Sequence, residues 1–340
     1  TVTYTGKDIA YQLWKFGLLG VDFSYARFAP RWDSGAVRAE EVPATVRNHT
    51  VWRTAPGAGA SDAPVFGRAA RVVNVIDARQ SYPQKVVREG LRVLSFQKEA
   101  DASIHFAYEM VALSPAAARE LSERFGEEYR LTAEEEQKPF VEMSGRRGLG
   151  VKADDLVALL EERSRAEVHR RREGDAEGAE KDARAIAIGA LRYFLLKFGR
   201  NKVIAFDFSD ALNFEGETGP YLQYSLVRAG NIFRKLAERG LAEAPVPESA
   251  TWEDDLWAIL LDVASTADVA ERAVDALELS NLARHAFSLA QSFNHFYHRH
   301  PILAEPDADL RNRRIAVARL FEREMRLLLD LLGIPEPARM

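Results

Sequence analysis

Cysteine is absent from the 340 residues of this chain, and several kinds of chemistry are excluded with it. Disulfide bridges, thiolate metal sites and cysteine nucleophiles all require that side chain. The sequence also lacks any apolar run near the ~18 residues of a membrane span, and no secretory or transit segment opens it. Together these absences favour a cytoplasmic protein.

A strong charge of one sign is also missing, because 46 Lys and Arg face 51 Asp and Glu, a net charge of −5. The overall charge therefore does not indicate a nucleic-acid partner. Arginines nevertheless cluster within residues 163–172 and again within 311–326. Each cluster is either a solvated helix face or a local phosphate contact. The length allows two or three domains.

The first part of the chain opens with a predicted helix over residues 1–20. Its apolar residues recur at i, i+4 and i+7, namely Ile9, Leu13 and Phe16. Tyr4 and Asp8 are four residues apart and share a face of that helix. Residues from about 22 to 70 are broken by prolines and glycines, which indicates an insertion without a core of its own.

A βαβ unit is predicted after the insertion. Residues 72–76 are apolar except for Asn74, a composition typical of a buried strand, and residues 104–110 alternate between apolar and polar. A helix with apolar residues at helical spacing separates them, so the two strands should be parallel. Ligands bind beyond the carboxyl ends of such strands, where Gln80 lies.

A loop over residues 139–151 carries the most suggestive chemistry of the sequence. An apolar run leads into Met143-Ser144-Gly145-Arg146-Arg147, and Asp154 and Asp155 then open a helix. Glycine backbone, a hydroxyl and two guanidinium groups suit a polyphosphate. The alternative is a basic, solvated turn.

Beyond a polar linker at 173–182, residues 183–340 show helical periodicity almost throughout. Thr218-Gly219-Pro220 is a predicted helix start, because proline is favoured in the first turn. We therefore predict an α/β region over residues 1–172, followed by an α-helical bundle.

Four segments, in this order, resemble arginyl-tRNA synthetases of class I: Thr3–Ala10, the loop at 139–151, Phe206–Tyr224 and Leu332–Met340. The Gly216-Glu217-Thr218-Gly219-Pro220-Tyr221 block is the most specific of them, and the resemblance covers essentially the whole chain. It implies the carboxyl-terminal half of a Rossmann-type catalytic domain, followed by a helical anticodon-binding domain. The implied activity is arginine–tRNA ligation with ATP.

The resemblance also implies site residues. A carboxylate suits the planar guanidinium of free arginine because it carries the opposite charge and its two oxygens match the geometry of the N–H groups. Asp8 is the candidate, with Tyr4 beside it and Gln80 for the other end of the amino acid or the adenine pocket. Met143, Ser144, Gly145 and Arg146 are the expected ATP residues, with Ser144, Arg146 and Arg147 in the catalytic role. The loop departs from the class pattern, because Glu142 and Gly145 stand where lysines are usual.

The helical region is expected to read the tRNA anticodon stem-loop, because splayed RNA bases stack on aromatic rings and pair with polar side chains. The candidate contacts are Tyr221, Gln223, Tyr224, Asn294, Tyr297 and Met340. His295, His298 and His300 form a poor zinc site, so no structural metal is expected beyond the Mg²⁺ that accompanies ATP.

The histidine-any-glycine-histidine motif of the class does not occur among the seven histidines. The chain also begins at Thr1, inside an element that resembles a working helix, which suggests a fragment. Two hypotheses follow. The chain is part of a ligase that needs the missing amino-terminal half as partner and acts as a monomer when intact, or it is a non-catalytic tRNA-binding module.

Overall fold

A computed structural model describes residues 4–28, 50–126, 131–141, 152–171, 176–241, 245–246 and 252–340. The chain divides into two compact units, Thr1–Tyr108 and Glu109–Met340. Within the described ranges, no helix is long and apolar enough to cross a membrane.

The first unit is a small α/β unit. Its elements are α1 (Tyr4–Lys15), β1 (Ser24–Arg27), β2 (Trp52–Ala55), β3 (Val72–Asp77), α2 (Ser81–Val93), α3 (Gln97–Asp101) and β4 (Ser103–Tyr108). Strands β3 and β4 are parallel, with Val72 opposite Ser103 and Asp77 opposite Tyr108. The predicted βαβ unit is therefore present. In the insertion, β1 and β2 pair antiparallel.

The core of this unit is thin. Its buried cluster consists of Phe16, Val72, Leu91 and Ala100. Helices α1 and α2 approach closely, since a Cβ atom on Gly90 would lie 2.6 Å from Cδ1 of Ile9. The other face of the strands stays open: the side chain of Val75 on β3 is 62% exposed.

The second unit is mainly helical. Its elements are β5 (Val111–Leu113), α4 (Pro115–Phe125), α5 (Ala153–Arg171), α6 (Ala176–Leu196), β6 (Ile204–Phe206), α7 (Phe208–Ala211), α8 (Gly219–Glu238), α9 (Asp254–Ala276), α10 (Ser280–Arg299) and α11 (Ala308–Leu331). Helices α8 to α11 enclose the largest buried cluster, in which the rings of Phe293 and Phe321 stack 3.8 Å apart. The predicted α/β region followed by a helical bundle is confirmed.

The compact units divide at a different point from the expected linker. Strand β5 pairs in parallel with β6. Because of this pairing, residues 109–126 belong to the helical unit and not to the α/β unit. Most of the segment 173–182, expected to be a polar linker, is the first two turns of α6. The polar side chain of Glu180 in this segment forms an ion pair with Arg165 of α5, which joins α5 to α6.

The Thr218-Gly219-Pro220 segment is the helix start that the sequence predicts. Thr218 caps α8 and accepts a hydrogen bond from the Tyr221 N–H. Gly219 is required by packing, because a Cβ atom there would lie 2.1 Å from the carbonyl oxygen of Gly189 on α6. Helices α6 and α8 therefore meet backbone to backbone.

Candidate functional sites

The predicted amino-acid residues lie in the α/β unit. Tyr4 and Asp8 stand one turn apart on α1 and are both exposed, Tyr4 to 87%. The Nζ atom of Lys7 lies 5.7 Å from the centre of the Tyr4 ring. Gln80 belongs to a 3-10 turn at the carboxyl end of β3 and is also exposed. The first unit therefore presents a carboxylate, a phenol and an amide to solvent.

A polar network anchors α1 to the sheet. The Gln12 amide nitrogen donates to Ser103 Oγ at 3.0 Å, and the Asn74 amide donates to Gln84 Oε1 at 3.0 Å. Lys15 Nζ donates to Asn74 Oδ1 at 2.8 Å. Burial lowers the pKa of Lys15, while Asp8 opposes that shift. Gln12 is only 2% exposed, so the network is partly buried between α1 and the strands. It holds α1, which carries Asp8, in one orientation on the sheet.

The turn before Gln80 is organised by charge. Arg79 pairs with Asp77 through two hydrogen bonds of 2.9 and 2.8 Å, and its backbone N–H donates to the same carboxylate. These bonds lower the pKa of Asp77 to about 2. Asp77 thus stays ionised at neutral pH and caps the turn that presents Gln80.

The predicted ATP residues Met143, Ser144, Gly145, Arg146 and Arg147 lie outside the described residues. The residue that leads into them is well anchored. Val141 is 2% exposed, and its N–H donates to the Leu113 carbonyl at 2.8 Å. Val141 is therefore held against β5 in the helical unit.

A groove of about 730 Å³ runs beside α8 in the helical unit. The rings of Tyr221 and Tyr224, one turn apart on α8, lie on its wall, and Arg228 follows one turn later. Asn294, His295 and His298 line it from α10, and Phe214 and Glu215 from the loop before α8. Three of the predicted RNA contacts, Tyr221, Tyr224 and Asn294, are thus brought together.

Arg228 is the organising residue of this groove. Its guanidinium carbon lies 4.5 Å from the centre of the Tyr224 ring and 4.9 Å from that of Tyr297. Its nitrogens donate to Tyr224 Oη at 2.9 Å and to Asn294 Oδ1 at 2.6 Å. The two aromatic rings and the cation between them are here called the Arg228 platform.

Sequence reasoning missed Arg228 because the two conspicuous arginine clusters lie elsewhere. Members of those clusters are paired with carboxylates: Arg163 with Glu120, and Arg326 with Glu336. The signal for Arg228 was its position one helical turn after Tyr224, where the two side chains must meet.

The remaining predicted contacts differ in their surroundings. Gln223 is 0% exposed, and its amide nitrogen donates to the carbonyls of Ala185 and Pro335 at 2.8 and 2.7 Å. Met340 is partly buried against a small apolar cluster of α5 and α6. Gln223 therefore ties helices together from the interior, whereas Tyr224 and Tyr297 are partly exposed.

Asp255 anchors the far rim of the groove. Its carboxylate faces the Nε2 atom of His300 and the guanidinium of Arg299, each at 3.0 Å. The hydrogen bond with His300 lowers the pKa of Asp255, and Arg299 adds to the effect. Within the described part of the chain, no group of three His, Asp or Glu side chains is placed to hold a metal ion.

The chain resembles known proteins along its whole length. Residues 222–340 match the DALR anticodon binding domain. An arginine–tRNA ligase of Thermococcus kodakarensis is 34% identical over 100% of this chain and 48% of its own length. The arginine–tRNA ligase of Deinococcus radiodurans is 32% identical over 100% of this chain and 51% of its own length.

Solved structures agree with these relatives. Thermus thermophilus arginyl-tRNA synthetase superposes with a TM-score of 0.75 at 28% identity, over 100% of this chain and 50% of that one. The Plasmodium falciparum enzyme, at 17% identity and a TM-score of 0.59 over 80% of this chain and 41% of its own, shares the fold. The chain spans about half the length of the relatives it matches.

The fold and the groove define a class of protein: an α/β unit joined to a helical anticodon-binding domain. More narrowly, the chain belongs to the arginyl-tRNA synthetase family. The family resemblance stated from the sequence motifs is confirmed.

Proposed function

We propose that this chain supplies the arginine-recognition helix, the ATP loop and the anticodon-binding domain of an arginine–tRNA ligase. The single observation that carries the proposal is the Arg228 platform, which lies in a helical unit that matches an anticodon-binding domain. The proposed RNA contacts are Tyr221, Tyr224, Asn294, Tyr297 and Met340, with Arg228 added. Gln223 supports them from the interior.

For the amino acid, we propose that Asp8 pairs with the guanidinium of L-arginine. A carboxylate accepts two parallel N–H bonds from that planar group, which gives both charge and orientation. Tyr4 lies one turn before Asp8 and can bond or stack on the guanidinium, and Gln80 holds the other end of the substrate or the adenine ring. The bonds of Gln12 to Ser103 and of Lys15 to Asn74 hold α1, which carries Tyr4 and Asp8, against the two parallel strands.

The proposed reaction needs no protein nucleophile. The arginine carboxylate attacks the α-phosphate of ATP and displaces pyrophosphate, and the activated arginine then passes to the tRNA 3′ end. Catalysis consists of positioning and stabilising negative charge. We assign the stabilisation of that negative charge to Ser144, Arg146 and Arg147, and the shape of the loop to Met143 and Gly145. Mg²⁺ enters with the phosphates of ATP, and no structural metal is proposed.

The partners that follow are tRNA(Arg), L-arginine and ATP. The sequence lacks the histidine motif of the class, so we propose that activity requires an amino-terminal half that carries it. The complete enzyme is proposed to act as a monomer in the cytoplasm, where translation takes place.

The test is arginine-dependent ATP–pyrophosphate exchange with tRNA(Arg) present, with and without an added amino-terminal half. We expect exchange only in the mixture. In that mixture, Asp8→Ala should raise the KM for arginine strongly, while Asp268→Ala, an exposed acidic residue on α9, should leave it unchanged. An unchanged KM for Asp8→Ala would remove Asp8 from the arginine site.

A second candidate function is that of a non-catalytic tRNA-binding module. The observation that favours it is that every described wall of the groove belongs to this chain's own helical unit, whereas the histidine motif is missing from its sequence. Binding of tRNA(Arg) by the chain, with no exchange in any mixture, would select this function over the first.

A further inference from the structure

The last nine residues, Leu332–Met340, follow α11 and lie along α6; they are here called the strap. Three side chains of the helical unit hold its backbone. Arg192 Nε donates to the Leu332 carbonyl at 2.9 Å, and Gln223 Nε2 donates to the Pro335 carbonyl at 2.7 Å. Asp182 Oδ1 accepts the Ala338 N–H at 2.6 Å. Because all three bonds go to backbone atoms, they hold the path of the strap whatever side chains it carries.

Two of these contacts, those of Arg192 and Asp182, involve a charged side chain, and such hydrogen bonds are about twice as strong as neutral ones. Asp182 is also 3% exposed, so water hardly competes for its bond to the strap. Gln223 links the strap to α6, because its amide nitrogen donates to the carbonyls of both Pro335 and Ala185. Gln223 lies between Tyr221 and Tyr224 in sequence, so the same helix carries the strap's anchor and the groove's rings.

The strap ends in an apolar seat that it shares with the groove. Met340 packs against a cluster formed by Val168 of α5 and by Ala179, Ala183 and Ile186 of α6. Phe214, which lines the groove, packs against that same cluster. Asp182, which binds the strap, directly precedes Ala183, which belongs to the apolar seat of Phe214, so the two contacts are adjacent on α6.

We propose that the strap is a positioning device for the RNA groove, with Asp182 and Gln223 as its positioning residues. The strap keeps Met340 in the seat, and the filled seat holds Phe214 and the loop 213–218 as one wall of the groove. The proposal has two parts. The first, that the strap orders the loop 213–218, concerns the protein alone. The second, that this order supports RNA binding, rests on the proposed function.

The first test is amide hydrogen exchange of the RNA-free chain. Asp182→Ala should speed exchange in the peptide that covers residues 213–218, because the seat loses its terminal packing. Asp182→Asn keeps an acceptor for the Ala338 N–H and should restore most of the protection. Glu180→Ala, the same charge change two residues earlier, faces Arg165 and should not affect that peptide. Unchanged exchange in Asp182→Ala would overturn the proposal.

The second test is affinity for an RNA hairpin with the anticodon stem-loop sequence of an arginine tRNA, at one fixed salt concentration. Asp182→Ala should weaken binding about tenfold, the value of roughly one stacked base, and Glu180→Ala should not. Faster exchange with unchanged affinity would overturn the strap's role in RNA binding. No binding by the unsubstituted chain would overturn the proposed function and that role together, and the exchange result would then decide alone whether the strap orders the loop.

Discussion

The two compact units of this chain handle apolar surface in opposite ways. The helical unit buries large rings such as Phe293, Phe296 and Phe321 completely. The α/β unit leaves Val75 and Tyr82 exposed to 62% and 77%, around a small core. Parallel sheets in proteins normally have both faces covered. Among the described residues, the helical unit therefore has the larger and more closely packed core.

Aromatic truncations in each unit should show this difference most strongly. Phe293→Ala should lower the free energy of unfolding by about 3–5 kcal/mol, because it removes a stacked, fully buried ring. Tyr82→Ala removes an exposed ring and should change it by no more than about 0.5 kcal/mol. Chemical denaturation followed by circular dichroism measures both. Equal losses would refute the contrast between the units.

The contact of α6 with α8 sharpens the view that the helical unit is closely packed. Gly219→Ala places a methyl group against the Gly189 backbone and should cost about 3 kcal/mol, since neither backbone can yield easily. The matched control is Gly230→Ala on the same helix, where the nearest atom to a new Cβ lies 3.8 Å away. The control should be neutral or slightly stabilising, because alanine is the better helix former. Thermal unfolding of the two variants compares them directly; a stable Gly219→Ala protein would show that the helices can move apart.

The groove tests whether the helical unit also carries a binding function. Arg228→Ala removes the cation between Tyr224 and Tyr297 and should weaken binding of an anticodon stem-loop hairpin about tenfold or more. Arg234→Ala, whose guanidinium pairs with Glu238 on the exposed side of α8, is the control and should have little effect. Fluorescence anisotropy at constant salt measures both affinities. Similar losses in the two variants would mean that general charge, and not the platform, binds RNA.

Acid pH should have the smallest effect and should distinguish the two units again. His300 and Arg299 lower the pKa of Asp255 in the folded protein. The ionised carboxylate therefore stabilises the fold above its unfolded pKa of about 3.9, and this stabilisation is lost as pH falls through the lower folded value. The Tm difference between the unsubstituted chain and Asp255→Asn should be present at pH 6 and shrink toward pH 3. In the α/β unit, Asp77 titrates near pH 2, so the Tm difference for Asp77→Asn should persist to lower pH than that for Asp255→Asn.

Much of the architecture could be predicted from local patterns. Helical spacing in residues 183–340 and the βαβ pattern at 72–110 depend on periodicity, which a single sequence displays. The helix start at Thr218 was predictable because capping and first-turn preferences are local. Residues 176–182 lie in α6, inside the polar linker expected over 173–182; Glu180 pairs there with Arg165 of α5, and local polarity cannot reveal a partner on another helix.

The sequence by itself determined the family, the order of the α/β and helical regions and the position of Tyr4 and Asp8 one turn apart on one helix. Each of these depends on neighbours in the chain or on motifs read in order. Only the tertiary structure decided that Gln223 lies in the interior, that Arg228 joins Tyr224, Tyr297 and Asn294, and that the strap shares a seat with Phe214. These facts depend on side chains many residues apart meeting in space, and the packing of whole helices selects which of them meet.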